Sequence, residues 1–154
     1  HPALDAQRLV RALAVHKATG RPLSAWQDEP GVPLIDAART ARLFLDPDRE
    51  WLYGRIDRRF EAMIANGALN EVRALAAQVD DPSLPAMRAH GVPHLAAHLR
   101  GELSLEDAIT RGQADTRHYA KRQKTWFRHQ MTDWDTLDPQ DEKARERWLA
   151  GLAA

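Results

Sequence analysis

The 154-residue sequence contains no cysteine. That excludes a disulfide framework and any thiolate metal site. No apolar run approaches the ~20 residues that a membrane-spanning helix needs. Excess charge of either sign is missing too: 22 Lys and Arg balance 22 Asp and Glu, for a formal net charge of zero. A nucleic-acid partner is therefore not advertised by total charge and has to show as local clustering. The phosphate-cradling run G-x-x-x-x-G-K-S/T does not occur, so that kind of nucleotide loop is not encoded in these residues. There is no internal repeat and no low-complexity tract. What is present is 44% hydrophobic and 29% charged residues, an ordinary globular composition in a chain long enough for one domain with a core. With no cysteine and no membrane span, a cytoplasmic location is expected.

The most informative stretch is residues 115–128, which read as the end of a long helix. Arg117, Lys121, Lys124 and Arg128 fall at i, i+4, i+7 and i+11, a single stripe on a helical wheel. Thr116, Tyr119, Ala120, Trp126 and Phe127 gather on the other side, which is expected to bury. Like charges at i, i+4 destabilise an isolated helix by about 0.2–0.5 kcal/mol per pair. Something outside the helix has to offset them. A row of phosphates would do so, and so would carboxylates beside a solvated face; the spacing leaves both open.

Thr116-Arg117, Tyr119-Ala120-Lys121-Arg122-Gln123 and Thr125-Trp126-Phe127-Arg128 together resemble the C-terminal signature of bacterial tRNA dimethylallyltransferases (tRNA isopentenyltransferases). That signature runs roughly T-R-x-x-A-K-R-Q-x-T-W-x-R and includes rare residues. The resemblance implies that this segment contacts the anticodon stem-loop of tRNA, through Arg117, Lys121, Arg122, Gln123, Lys124, Thr125, Trp126 and Arg128. Gln123 falls on the apolar side of the wheel, where a buried amide must find partners or face a ligand.

Taken in order, residues 5–18 read as a helix capped by Asp5 and ended by Gly20 and Pro22. Leu9, Ala12, Leu13 and His16 share its apolar face, with Arg8 and Arg11 on a neighbouring face. His1-Pro2, Gln7-Arg8-Leu9, Arg11-Ala12-Leu13, Thr19-Gly20 and Leu23-Ser24 resemble a second block of the same family, which implies a tRNA-contacting role for Gln7, Arg8 and Arg11. The chain opens without an initiator Met, and it reads as a segment of a longer protein. Residues 28–39 carry Pro30, Gly31 and Pro33 and read as a linker. A short strand is expected over 40–45.

Residues 48–66 read as a helix closed by Gly67, with Leu52, Ile56, Phe60 and Met63 as its apolar stripe. Arg59 falls inside that stripe. An arginine on a burying face is costly unless paired. It either snorkels or forms a structural ion pair, or it serves an anion, since a guanidinium binds phosphate oxygens as a fork. The surrounding residues Asp46, Arg49, Leu52-Tyr53, Arg55-Ile56, Arg58-Arg59 and Met63 resemble the family's core motif. That resemblance implies a catalytic role for Arg59 in the transfer.

Further on, residues 68–79 form an amphipathic helix with Leu69, Val72, Leu75 and Ala76 inward, and Glu71 reads as structural. Residues 84–100 read as a short helix, a break at Gly91-Val92-Pro93 and a second helix. Arg88 and Gly91 match a tRNA-contacting turn of the family. The family's aromatic after that glycine is replaced by Val92, so its stacking role does not carry over. His90 and His94 have helical metal-ligand spacing, but Gly91 and Pro93 disrupt that geometry, and no metal site is expected. Ser104 and Asp107 open the long helix with a capping-box pattern. A strand at 134–138 and a surface helix from Pro139 complete the chain.

The expected fold is therefore mostly α with one or two short strands. The resemblance makes it the C-terminal part of a P-loop-kinase-like α/β enzyme with a helical insertion. Its expected divisions are 1–27 (end of the insertion), 28–39 (linker), 40–138 (second half of the transferase core) and 139–154 (terminal helix). The implied activity moves a dimethylallyl group from dimethylallyl diphosphate to N6 of the adenosine 3′ of the anticodon. The implied partners are the tRNA anticodon stem-loop and dimethylallyl diphosphate, with no membrane and a monomeric intact enzyme. Magnesium is implied as cofactor, with its ligands and the catalytic base expected outside these residues. The isolated chain is expected to be inactive. A non-catalytic helical nucleic-acid-binding module and a purely structural domain remain as alternatives.

Overall fold

The computed structural model describes residues 5–29, 31–32, 34–79, 81 and 83–152. The chain divides into two compact units, His1–Thr40 and Ala41–Ala154.

In the first unit, α1 (Ala6–Thr19) starts where the Asp5 carboxylate accepts from the Gln7 N–H at 3.1 Å. It ends at Gly20, whose φ of 70° is the left-handed conformation that glycine adopts without strain. A second helix, α2 (Leu23–Gln27), follows at once. The sequence pattern did not predict it: five residues show too little periodicity. It is held from outside its own ladder, because Arg21 donates to the Ala25 carbonyl and to Glu29 and lies 4.8 Å over the Trp26 ring. The apolar face read on α1 is not buried, with Leu9 and Leu13 both exposed. Among the described residues of the expected linker, Ala37–Arg39 form a 3₁₀ turn capped by Asp36.

The second unit is helical around one parallel strand pair. β1 (Leu43–Leu45) pairs with β2 (Asp135–Leu137) in the register Leu43↔Asp135, Phe44↔Thr136, Leu45↔Leu137. Each strand is three residues long, shorter than the expected 40–45 and 134–138. Parallel pairing requires a crossover, and four helices supply it. α3 (Arg49–Ala65) is capped by Asp48, which accepts from the N–H groups of Glu50 and Trp51. Gly67, at φ 101°, then turns the chain directly into α4 (Ala68–Gln78). A 3₁₀ turn, Pro85–Arg88, precedes α5 (Val92–Leu99). The expected break at 91–93 is therefore only Gly91, at φ 92°. Val92 and Pro93 are already helical, because a proline in the first turn lacks only an N–H that would have no helical partner. Ser104 caps α6 (Leu105–Gln130): its Oγ accepts from the Asp107 N–H at 3.0 Å and donates to the Asp107 carboxylate at 2.8 Å. α7 (Glu142–Gly151) closes the chain.

The core lies where α4, α5 and α6 meet. Val72, Leu95, Ala96 and Ala108 are buried there, with Ile64, Leu69, Val92, Leu99 and Leu105 packed around them. Ala76, expected to point inward, is exposed. Phe60 is the buried knob of α3. Its ring fills the space left by two glycines, Gly112 on α6 and Gly91 before α5. A Cβ at either position would collide with the ring. The rest of the α3 stripe is covered only in part: Leu52 and Ile56 are half-buried and Met63 is exposed.

Gly112→Ala should therefore destabilise the chain by about 1–3 kcal/mol, the range for overpacking, read as a lower urea midpoint. Adding Phe60→Leu should recover part of that loss. No recovery would mean that the ring is not what makes Gly112 necessary.

Candidate nucleic-acid interface

The end of β1 fixes the first anchor. The Asp46 N–H donates to the Leu137 carbonyl at 2.8 Å, so Asp46 extends the strand pairing by one bond. Its largely buried carboxylate meets Lys124 Nζ at 2.8 Å and Arg128 at 2.8 Å. Lys124 also donates to the Pro47 carbonyl at 2.7 Å. Burial pushes the Asp46 carboxyl up, but hydrogen bonds and charge from Lys124 and Arg128 outweigh it and hold it below the usual carboxylate value. A second anchor is the ion pair of Arg117 with Asp57 of α3. Gln113 adds a bond to the Asp57 carbonyl at 3.2 Å.

Three of the four cations in the α6 stripe are thus met by carboxylates of the β1–α3 segment. Of the two offsets that the spacing left open, carboxylates are the one observed for Arg117, Lys124 and Arg128. The Lys121 ammonium makes no ion pair or hydrogen bond among the described residues.

Because these anchors turn the stripe partly inward, the opposite side of α6 is buried only in part: Thr116, Ala120 and Phe127 are half-buried, whereas Tyr119 and Trp126 are exposed. Phe127 packs inward and stacks on Phe44 at 5.2 Å. Trp126, expected to bury, is 53% exposed, and Tyr119 is 42% exposed. They lie one step around the helix from the face that β1 and α3 cover. The outward face carries His118, Lys121, Arg122, Thr125, Trp126 and His129 around a shallow hollow of about 540 Å³. The two histidines escaped notice in the sequence. Their spacing of eleven residues, the same as from Arg117 to Arg128, was the available signal. Asp46 and Asp57 were also missed as partners, since they pair across 60 to 82 residues of chain.

Arg59 is exposed, not buried as its place in the apolar stripe had implied. Its guanidinium makes no ion pair or hydrogen bond among the described residues. It stands on a cavity of about 450 Å³ with a floor of Leu52, Ile56, Phe60 and Met63. His90, Thr116, Tyr119, Ala120 and Gln123 complete the lining. Gln123 is exposed there, so its place on the apolar side reflects an open cavity rather than a core. Leu52 and Ala120 also line a neighbouring cavity of about 550 Å³, together with Asp46, Arg49, Lys121, Lys124, Thr125 and Arg128. The structure thus brings the α6 residues and Arg59 to adjoining hollows.

Arg88 is exposed on the turn before α5, whereas Gly91 is buried. Gly91 shapes the turn, and the side chains it offers outward are those of Arg88 and His90. Gln7, Arg8 and Arg11 are exposed on α1 in the first unit, where Arg8 lies 3.7 Å from Asp5. His94 is held by Asp115 at 2.8 Å. No group of three or more His, Asp or Glu among the described residues could hold a metal ion. No described helix is long and apolar enough to cross a membrane.

With this geometry in view, comparison with known proteins is decisive. The family model "IPP transferase" matches residues 1–130. The chain belongs to the IPP transferase family. It is 57% identical over 148 residues to a tRNA dimethylallyltransferase of Bradyrhizobium sp. (strain BTAi1), covering 96% of this chain and 48% of that protein. A tRNA dimethylallyltransferase of Rhodopseudomonas palustris (strain TIE-1) is 56% identical over 140 residues, covering 91% of this chain and 46% of the relative. Among solved structures, the full-length tRNA isopentenylpyrophosphate transferase of Bacillus halodurans superposes with a TM-score of 0.64 at 29% identity, over 95% of this chain and 45% of that one. The chain thus spans about half the length of the curated relatives it matches.

The Asp46 cluster predicts an acid sensitivity of known sign. The folded Asp46 carboxyl is harder to protonate than the unfolded one, so the unfolded state binds more protons as pH falls. Its stabilisation is full above the ordinary carboxylate pKa of about 4 and is lost below it. Asp46→Asn should cost about 1–3 kcal/mol at pH 7 and should flatten the loss of stability between pH 5 and 3. An unchanged acid profile in the variant would remove Asp46 from this role.

Proposed function

We propose that this chain forms part of a tRNA-modifying prenyltransferase, and that within it these residues mainly bind the anticodon stem-loop. One observation carries the reading: carboxylates anchor one side of α6, and Lys121, Arg122 and Trp126 are thereby held outward beside the cavity of the unpaired Arg59. Exposed cations contact phosphates, and an exposed indole offers a stacking surface to unpaired bases. The outward face supplies both.

In the proposed reaction, N6 of the adenosine 3′ of the anticodon attacks the allylic carbon of dimethylallyl diphosphate. A C–N bond forms, the C–O bond to diphosphate breaks, and the N6 proton passes to a base. Arg59 is the residue assigned to the departing diphosphate. Its guanidinium is free to form a forked contact with phosphate oxygens, an interaction that strengthens as charge develops on the leaving group. No carboxylate lines the Arg59 cavity, and the base is assigned outside these residues. Magnesium, when bound, would neutralise diphosphate charge; its ligands are not assigned to these residues.

A labelled anticodon stem-loop titrated with this chain should give salt-sensitive anisotropy, through counterion release. It should bind more tightly than an unrelated hairpin of equal length. Lys121→Ala and Arg122→Ala should each weaken binding and lower the salt slope by about 1. Equal affinity for both hairpins would count against anticodon recognition by these residues.

The 154 residues alone should show no transfer from dimethylallyl diphosphate, since the phosphate-loop run is absent from them and no carboxylate lines the Arg59 cavity; measurable turnover would overturn that assignment. In a turnover-competent enzyme that contains them, Arg59→Ala should lower kcat by about 100-fold or more, with far less change in RNA affinity. Equal losses would leave a binding module without chemistry as the better reading.

A further inference from the structure

The outward hollow of α6 holds a second stripe. His118, Arg122, Thr125 and His129 recur at i, i+4, i+7 and i+11, the spacing of Arg117, Lys121, Lys124 and Arg128 moved on by one residue. One residue turns the helix by about 100°, so the second stripe points away from the carboxylates that draw the first partly inward. All four of its residues are exposed. His118 falls at a free position of the signature T-R-x-x-A-K-R-Q-x-T-W-x-R, and His129 lies just beyond it. The Nδ1 of His129 lies 2.9 Å from the Thr125 carbonyl oxygen. A carbonyl only accepts, so Nδ1 carries the hydrogen. In the neutral ring Nε2 is then a bare acceptor, and a phosphate oxygen, itself an acceptor, gains nothing from it. A proton added at Nε2 turns that atom into a charged donor. The lining of the hollow comes wholly from α6, and the charged groups beside the histidines there are Lys121 and Arg122. The nearest carboxylates along the chain are engaged elsewhere. Asp115, three residues before His118, meets His94 at 2.8 Å, and Asp133, four residues after His129, meets Arg42 at 2.6 Å. Among the described residues neither His118 nor His129 has a carboxylate within salt-bridge distance, so the anion that would hold a proton on either ring has to come from outside.

We propose that His118 and His129 are phosphate contacts made only by the protonated rings, so that this chain takes up protons as it binds RNA. This rests on the tRNA reading above and deepens it. Histidine is the side chain whose charge ordinarily changes between about pH 5 and 8, whereas lysine and arginine stay charged throughout that range. Lys121 and Arg122 therefore supply a constant attraction, and the two histidines a graded one at either end of it. A rise of about 1.5 Å per residue separates the two rings by about 16 Å along the axis, so they meet different phosphates. The sign follows from linkage. The complex holds more protons than the separated partners, so affinity rises as pH falls.

The test titrates a labelled anticodon stem-loop with this chain at about pH 8 and about pH 5.5, towards the two ends of histidine's range. The lower value stays above the carboxylate range, about 4, in which the Asp46 stabilisation is lost. Binding should tighten at the lower pH by about 2- to 5-fold for each histidine, the size of an exposed ion pair. The salt slope should steepen by about 0.7–0.9 for each. His129→Gln should remove part of this gain, and His118→Gln with His129→Gln nearly all of it. Replacing both by arginine should give, at the higher pH, the affinity that the parent reaches at the lower. Both positions are exposed, so the changes leave the packing of α6 alone. Parent affinity that does not change with pH overturns the proposal while leaving tRNA recognition intact. A gain that survives in the double glutamine variant places the proton elsewhere and also overturns it. Binding at neither pH by a folded parent chain overturns both the proposal and the reading on which it rests.

Discussion

The carboxylate of Asp46 is the interaction on which the second unit depends. It sits one residue beyond β1, tied to β2 by a backbone hydrogen bond, and its side chain holds Lys124 and Arg128 of α6. The contributions are unequal. Arg128 is 58% exposed, so its bond is screened and resembles a surface pair, worth about 0–1 kcal/mol. Lys124 is 24% exposed and also bonds the Pro47 carbonyl, so more of the attachment lies there. The geometric effect exceeds the energetic one. A helix can present any side to a sheet, and the pairing of residues 46 and 57 with 124, 128 and 117 selects one rotation of α6. That choice sends Phe127 inward onto Phe44 and Trp126 outward.

Packing around Phe60 serves the site from below. Gly112 and Gly91 let α6 and the turn before α5 approach α3 closely enough to enclose the ring. The same ring forms part of the floor of the Arg59 cavity. Core and cavity are therefore not independent. A substitution that lifts the ring to relieve crowding also changes the depth of the hollow beside Arg59. The small residues of α6 that let the helices close are those of its first half, Ala108 and Gly112. The aromatic residues and Lys121, Arg122, Lys124 and Arg128 follow in the second half, where neighbouring elements cover less of the helix.

Local chemistry was legible in the sequence. Asp5, Asp48 and Ser104 cap the helices where their side-chain oxygens and spacing predict, because a cap is decided by residues two or three positions apart. Arg59 also stood out, because one cation in an apolar stripe violates a local period. What escaped were facts settled by distant parts of the chain. The wheel of α6 shows a charged side and an aromatic side and says that one of them buries. It does not say that carboxylates 60 or more residues earlier draw the charged side partly inward. Val92 and Pro93 read as a break because proline usually ends helices, and only the full turn shows them opening one. For Arg59, the pattern was right about the stripe and wrong about its burial, since Arg59 stands on an open cavity rather than under packed neighbours.

The zero net charge now has a physical reading. Asp46 and Asp57 are matched locally by Lys124, Arg128 and Arg117, at contact distance and partly shielded from water. Such paired charges act over short range and add little to the field at the surface. Lys121 and Arg122 have no carboxylate within salt-bridge distance among the described residues, and they stand beside Trp126 and the two histidines. A surface field is set by charges that are not cancelled nearby, and screening limits their reach to about 8–10 Å at ordinary salt. At that range an approaching polyanion senses Lys121 and Arg122, not the 22-to-22 balance of the chain. Two of the 22 acidic residues that balance the chain, Asp46 and Asp57, are also the groups that aim its basic face.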